Sequence, residues 1–369
     1  MKPLIFDAHL DLAWNALQYD RDQRLDVLSL RANESHMTTE TRGKCTVSLP
    51  AMRTGHVAFC CATLLARTLP DGFSPPTHPS HRLPKAVFAR EDIDFADATI
   101  AYGTAYGQLG YYRLLESLGE IKLICTQSQL AEHVALWTPT SPIGVILAME
   151  GTDPIIEPSQ VKHWFDLGLR VACLAHFGQS AHAMGTGFDG PLTPTGVQLI
   201  KEMDQVGVIL DLVHTADLAI EQALDLYSRS VCVSHANVRS RVKGDRQISD
   251  GQIQQVANRQ GVIGIALYNH MIKPNTPEQP VIKDNVSLTD VVYHIDHICQ
   301  LVGHANCVGI GSDMDGGFGV DQIPRELETI SDLPKLGESL SAKGFSDTDI
   351  EKIMSGNWLR FFAQNLSES

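Results

Sequence analysis

The stretch GVILDLVHTADLAIEQALDLYSRSVCVSH, residues 207–235, holds one complete period of the fold. The β-rich run GVILDLVH (207–214) passes into the amphipathic pattern TADLAIEQALDLY, and a second β-rich run, VCVSH (231–235), follows. Two strands joined by a helix lie parallel in one sheet. Both runs end on histidine.

Outward from this unit the pattern repeats. Six further runs qualify as principal strands: PLIFDAH (3–9), VAFCCATLL (57–65), IGVILAME (143–150), LRVACLAH (169–176), GVIGIAL (261–267) and CVGIGSD (307–313). IKLICT (121–126) reads as a small accessory strand. Helical stretches lie between them, several opening on Ser, Thr or Asp and closing on Gly. Eight strand and helix units predict a (β/α)8 TIM-like barrel. An open doubly wound sheet of eight strands is the alternative, and periodicity does not separate the two. The Pro-rich stretch LPDGFSPPTHPSHRLP (69–84) interrupts the pattern as a long loop. The expected organisation is one catalytic domain over 1–369, with a loop insertion near 67–89.

Bulk properties narrow the function. A hydrophobic content of 43% supplies a sizeable core, and a net charge of −14 repels phosphate backbones and anionic lipid. Nucleic acid and membranes are therefore not expected partners. No apolar run approaches the ~20 residues that span a bilayer, and no signal-peptide pattern precedes Leu4. The eight cysteines show no CxxC spacing and read as small buried hydrophobes in a reducing compartment. These features predict a soluble cytoplasmic chain.

Six of the eight runs end on a group that binds metal or moves protons: His9 with Asp11, Glu150, His176, His214, His235 and Asp313. In a parallel barrel those ends open on one face, where active sites of this fold are built. Taken singly each has a bland reading. His9 and Asp11 read as a strand-end histidine and a helix cap, Glu150 as a carboxylate bonded to backbone, the other histidines as satisfied core groups, and Asp313 as a turn residue. Asp315 reads as a turn aspartate more readily still. Together at equivalent strand ends they point to a metal centre.

In a strand, His9 and Asp11 share a face about 6–7 Å apart, a span one cation bridges with ~2 Å bonds. Glu150 has two oxygens and can serve two ions, His9 with Asp11 completing one site and His214 with His235 the other. Nitrogen and oxygen ligands suit two zinc ions and leave room for manganese or iron. Such a pair can hold an activated hydroxide and polarise a carbonyl, the chemistry of hydrolysis. Asp313 is the candidate proton shuttle and His176 the candidate oxyanion donor.

These motifs resemble the membrane (renal) dipeptidase family, peptidase family M19, within the amidohydrolase superfamily. DAHLDLAW is similar to its D-G-H-N-D-L opening, AMEG to V-E-G, VGVILDLVH to G-hydrophobic-D-L-S-H, VCVSHAN to F-S-H-S, VGIGSDMDG to G-G-D-F-D-G, and SGNWLRFF to its G-N-hydrophobic-L-R-V-F ending. The resemblance implies a zinc dipeptidase that takes small dipeptides, including ones with D-configured or unusual C-terminal residues, and a homodimer. It implies the same five metal ligands, the catalytic role of Asp313 and substrate contact by His176. It adds Arg246, in KGDRQISD, as the grip on the substrate carboxylate, though alone this arginine reads as a surface charge. Tyr268, in ALYNHM, falls where the family has N-F-Y and reads equally as a packed aromatic. After His176 the chain runs FGQSAHAMGTG where typical members carry asparagines and a tryptophan, which predicts an altered side-chain pocket. His182 in that loop reads as solvent-facing. Two other readings stay open: a related hydrolase of another amide, an N-acyl amino acid or a lactone, and a metal-binding barrel without turnover.

Overall fold

The computed structural model describes residues 4–39, 41–68, 93–95 and 97–368. Eight parallel strands form the barrel: β1 Ile5–Leu10, β2 Val57–Leu65, β3 Ile143–Glu150, β4 Leu169–Cys173, β5 Ile209–Asp211, β6 Cys232–Val233, β7 Val262–Ile265 and β8 Val308–Ile310. Each pairs with its successor, and β8 returns to β1 through Asp7↔Ile310. That closed ring excludes the open sheet. The accessory strand Ile121–Leu123 pairs with the first residues of β3, below the point at which β4 begins to pair. The Pro-rich stretch 69–84 lies outside the described residues.

Local signals explain the helices. Thr193 caps Pro194–Val206 by accepting from Gly196 N at 3.0 Å, and Gly207 ends that helix at φ 97°. Ser287 and Asp290 form a capping box on Leu288–Val302. The helices pack apolar faces on the outside of the strands, while Phe6, Phe59 and Ile146 fill the inside.

The bottom of the barrel is plugged by helix Asn357–Asn365. Trp358 donates its indole N–H to Ile310 O at 3.0 Å, and Asn357 donates to the carbonyls of Ala305 and Val308. Phe6 stacks on Phe59 at 5.6 Å and on Phe362 at 5.3 Å, pairs worth about 0.5–1.5 kcal/mol each beyond their burial. The closing SGNWLRFF motif is thus a structural stopper, and function belongs at the other end. Among the described residues no helix is long and apolar enough to cross a membrane.

Candidate metal centre

The strands are shorter than the sequence runs, so most of the expected ligands sit just beyond them. Glu150 is the last residue of β3, whereas His176, His214, His235 and Asp313 follow β4, β5, β6 and β8 by two or three residues. His214 and Asp313 hold left-handed backbone, at φ 60° and 59°, a conformation that costs non-glycine residues on the order of 1–3 kcal/mol. Both turns re-aim a side chain into the mouth. β1 carries an extra residue between the pairs Asp7↔Cys60 and Leu10↔Ala62, and His9 lies within that irregularity. The expectation that His9 and Asp11 share a strand face is corrected, because the strand stops at Leu10. Asp11 occupies the N-cap position of helix Leu12–Tyr19 but makes no side-chain cap bond. Its carboxylate accepts from Thr63 Oγ1 and faces His9.

The side chains converge. From Glu150 Oε1, the Nε2 atoms of His214 and His235 lie at 3.3 Å, and those of His9 and His176 at 3.6 Å. His9 Nε2 is 3.7 Å from both Asp11 Oδ1 and Asp313 Oδ1. Three overlapping groups, His9–Asp11–Glu150, Glu150–His176–His214 and His9–His235–Asp313, each have ligand atoms within 4.8 Å of one another. His9 Nε2 is buried with no hydrogen-bond partner.

Electrostatics supply the test of whether a cation belongs here. Burial, reinforced by Asp11 and Asp313 and opposed by His9, pushes Glu150 up to about 8. Burial and Asp11 push Asp313 to about 7 against the pull of His9. Burial opposes charge on His9, yet Glu150, Asp11 and Asp313 together raise it to about 10. Without a cation the cluster gathers protons. Burial and nearby cationic groups hold His214 and His235 well below their ordinary range, so both stay neutral. Neutral imidazoles, buried carboxylates and an orphaned ring nitrogen suit a divalent metal.

Supporting residues that the sequence did not single out orient this cage. His214 Nδ1 lies 3.0 Å from Thr186 Oγ1, and His235 Nδ1 lies 2.8 Å from Ser234 Oγ. Either hydroxyl can accept an Nδ1 proton and leave Nε2 bare for metal. Ser234→Ala is accordingly expected to weaken metal binding by about 10–100-fold with little change in melting temperature, as measured by competition with a chelating dye. Asp315, read as a turn aspartate, is buried and accepts from Thr46 N, Thr46 Oγ1 and Val47 N, tying the β8 loop to residues 46–47. Asn15 donates to the carbonyls of Asp11 and Asp315, joining the first loop to the last. Ser234 and Asp315 lie inside the VCVSHAN and VGIGSDMDG motifs, whereas Thr186 and Asn15 belong to none of the matched motifs.

Above the cage lies a cavity of about 220 Å³, lined by Glu150, His176, Arg246, Tyr268 and Asp313 among others. Arg246 is not a surface charge, since it lines this cavity and donates from Nη1 to His235 O at 2.9 Å. Tyr268 both lines the cavity and stacks on Phe318 at 4.7 Å. Against expectation His182 is fully buried. Its loop folds inward through Ser180, and the ring meets Thr152 Oγ1 at 2.9 Å, away from the cage. A larger cavity of about 470 Å³ at the opposite end, beside Asn357 and Arg360, contains none of these groups.

A closed parallel barrel with a nitrogen and oxygen cage at its C-terminal mouth defines a metal-binding (β/α)8 barrel. Residues 2–369 match the model of the membrane dipeptidase family, peptidase family M19, and the chain belongs to that family. It is 32% identical over 224 residues to the uncharacterized dipeptidase C3A11.10c of Schizosaccharomyces pombe, covering 59% of this chain and 52% of that protein. It is 31% identical over 246 residues to dipeptidase aclJ of Aspergillus oryzae, covering 64% and 55%. The chain thus spans about half the length of the curated relatives it matches. Among solved structures, the dipeptidase AC of family M19 superposes with a TM-score of 0.76 at 20% identity over all of both chains. A metallo peptidase from Rhodobacter sphaeroides, liganded with a phosphinate mimic of the dipeptide L-Ala-D-Ala, gives 0.75 at 21% identity over 99% of this chain and 100% of that one.

Proposed function

We propose that this chain is a dinuclear zinc dipeptidase that hydrolyses small dipeptides, including ones with a D-configured C-terminal residue. The observation that carries the reading is the convergence of four imidazole nitrogens on one oxygen of buried Glu150, beside Asp11 and Asp313. His9, Asp11 and Glu150 would hold one ion, and Glu150, His214 and His235 the other. Bound there, the ions supply Lewis acidity and a water acidic enough to act as nucleophile near neutral pH.

The protein groups do the rest. Arg246 holds the substrate carboxylate, a role suited to a guanidinium fork. His176 donates to the scissile carbonyl oxygen as negative charge develops on it. Asp313 takes the proton of the attacking water and passes it to the leaving nitrogen as the C–N bond breaks. A cavity of about 220 Å³ fits two small residues, and the L-Ala-D-Ala mimic bound by the Rhodobacter sphaeroides protein supports the same class of substrate.

On the same footing, residues 1–369 form one catalytic domain with its insertion after β2. A cytoplasmic setting is supported by eight thiols that stand free. The proposed homodimer rests on the family resemblance alone. A panel of L-L and L-D dipeptides, N-acyl amino acids and lactones, run on zinc-loaded protein, tests the activity. Dipeptides are expected to be cleaved fastest, and Arg246→Ala to raise KM by about 10–100-fold only for substrates with a carboxylate near the scissile bond. Faster turnover of lactones, unaffected by that substitution, would favour a related hydrolase. Stoichiometric metal without turnover of any member would favour a binding barrel.

A further inference from the structure

The spacing of Glu150, His176 and His214 would let His176 serve as a third histidine ligand. Its other ring nitrogen argues against that. His176 Nδ1 lies 2.9 Å from Nη1 of Arg67, a residue only 4% exposed. A guanidinium has five donors and no acceptor, so in this contact Nδ1 must accept. The ring proton then sits on Nε2, the nitrogen that faces Glu150 and the cavity. His214 and His235 are backed by hydroxyls, which accept as readily as they donate. The three imidazoles that crowd Glu150 from β4, β5 and β6 are therefore not equivalent.

Arg67 is built to stay in place. Its Nε and Nη2 each donate to Asp94 at 2.6 Å, a bidentate pair, and Nη1 also reaches Phe177 O at 3.2 Å. The backbone is fixed by the ladder of Arg67–Thr68 with Asp94–Phe95. Asp153 accepts from Thr68 N at 3.0 Å and from Ala181 N at 3.1 Å, fastening this strand to the loop that carries His176. The clamp therefore joins three segments around one ring.

We propose that Arg67, clamped by Asp94, is a positioning residue that fixes His176 in the Nε2–H tautomer, making it a standing hydrogen-bond donor to the substrate carbonyl and excluding it from the metal ligand set. The proposal rests on the oxyanion role assigned to His176 above. It requires no proton transfer at His176, because the ring enters and leaves the reaction with the same proton.

The test is a long-range proton–nitrogen correlation spectrum of zinc-loaded protein labelled with nitrogen-15 histidine, the His176 signals being assigned by their loss in His176→Gln. The expected pattern is a protonated Nε2 and a bare Nδ1, reversed or mixed in Arg67→Met. With the best dipeptide, Arg67→Met is expected to lower kcat by about 10²-fold while KM changes little, as for loss of one oxyanion donor. Arg67→Lys, which still presents only donors to Nδ1, should recover much of the loss. Should Arg67→Met not fold, Asp94→Asn loosens the clamp with Arg67 in place and is expected to shift both readouts in the same direction. A wild-type His176 bearing its proton on Nδ1, or an Arg67→Met protein with unchanged tautomer and kcat, overturns the proposal. The expected tautomer in a protein that cleaves no dipeptide would instead remove the dipeptidase reading and leave the clamp standing.

Discussion

Asp313→Asn is expected to leave the metal content of the protein unchanged and to lower kcat on dipeptides by about 10²–10⁴-fold, the range general acid and base groups supply. The substitution isolates the proton, since asparagine keeps the shape of aspartate and is among the residues that best tolerate left-handed backbone. That matters here, where Asp313 sits at φ 59° and a Cβ on Gly316 would lie 1.9 Å from its Oδ1. A bulkier change would break the turn and confuse the result. Asp313 also belongs to one group of metal-compatible spacing, with His9 and His235. Metal analysis alongside the rate separates the two roles. Loss of one ion per chain would make Asp313 a ligand, and a normal rate would end its role as proton shuttle.

Much of this site is readable in the chain because a parallel barrel converts sequence into position. All eight β-rich runs become barrel strands, and the chemistry-bearing residues at the ends of six of them face the same mouth. Closure was not readable, because the contact that decides it, Asp7↔Ile310, joins residues about 300 positions apart that carry no signal for each other. The reading of His9 with Asp11 brought together two side chains that do face each other, but through the wrong local geometry. Alternation assumes a regular strand, and β1 is irregular at His9 and already ended at Asp11. His182 misled because polarity near glycines reads as exposure, whereas Ser180 folds that loop beneath Thr152. Arg67 and Asp94 went unnoticed for a related reason, as their pairing depends on a two-residue ladder across 27 positions.

Chelation is expected to abolish hydrolysis and to lower the melting temperature, and that loss of stability should grow as pH rises from about 6.5 to 8.5. The sign follows from where protons reside in the metal-free chain. Glu150 is raised from 4.5 to about 8 and Asp313 from 3.8 to about 7, chiefly by burial. His9 is raised from 6.5 to about 10 by the carboxylates around it. In each case the folded chain binds a proton that the unfolded chain has released, so the contribution is full at low pH and lost as pH climbs through the folded value. His214 and His235 act in the opposite sense, but only up to about 6.5, above which they are neutral in both states. Above that point the metal-free protein therefore loses stability steadily, as negative charge accumulates in a buried cage. Divalent ions reverse the trend, since protons compete with them less as pH increases. At free metal ~1,000-fold above Kd the stabilisation approaches about 4 kcal/mol, or roughly 5 °C in a cooperative melt of a chain this long. Calorimetry of zinc-loaded and chelated protein at four pH values across this window measures the difference directly. A gap that narrowed with rising pH would mean that the carboxylates of β3 and β8 are already ionised without metal, and that something other than a cation neutralises them.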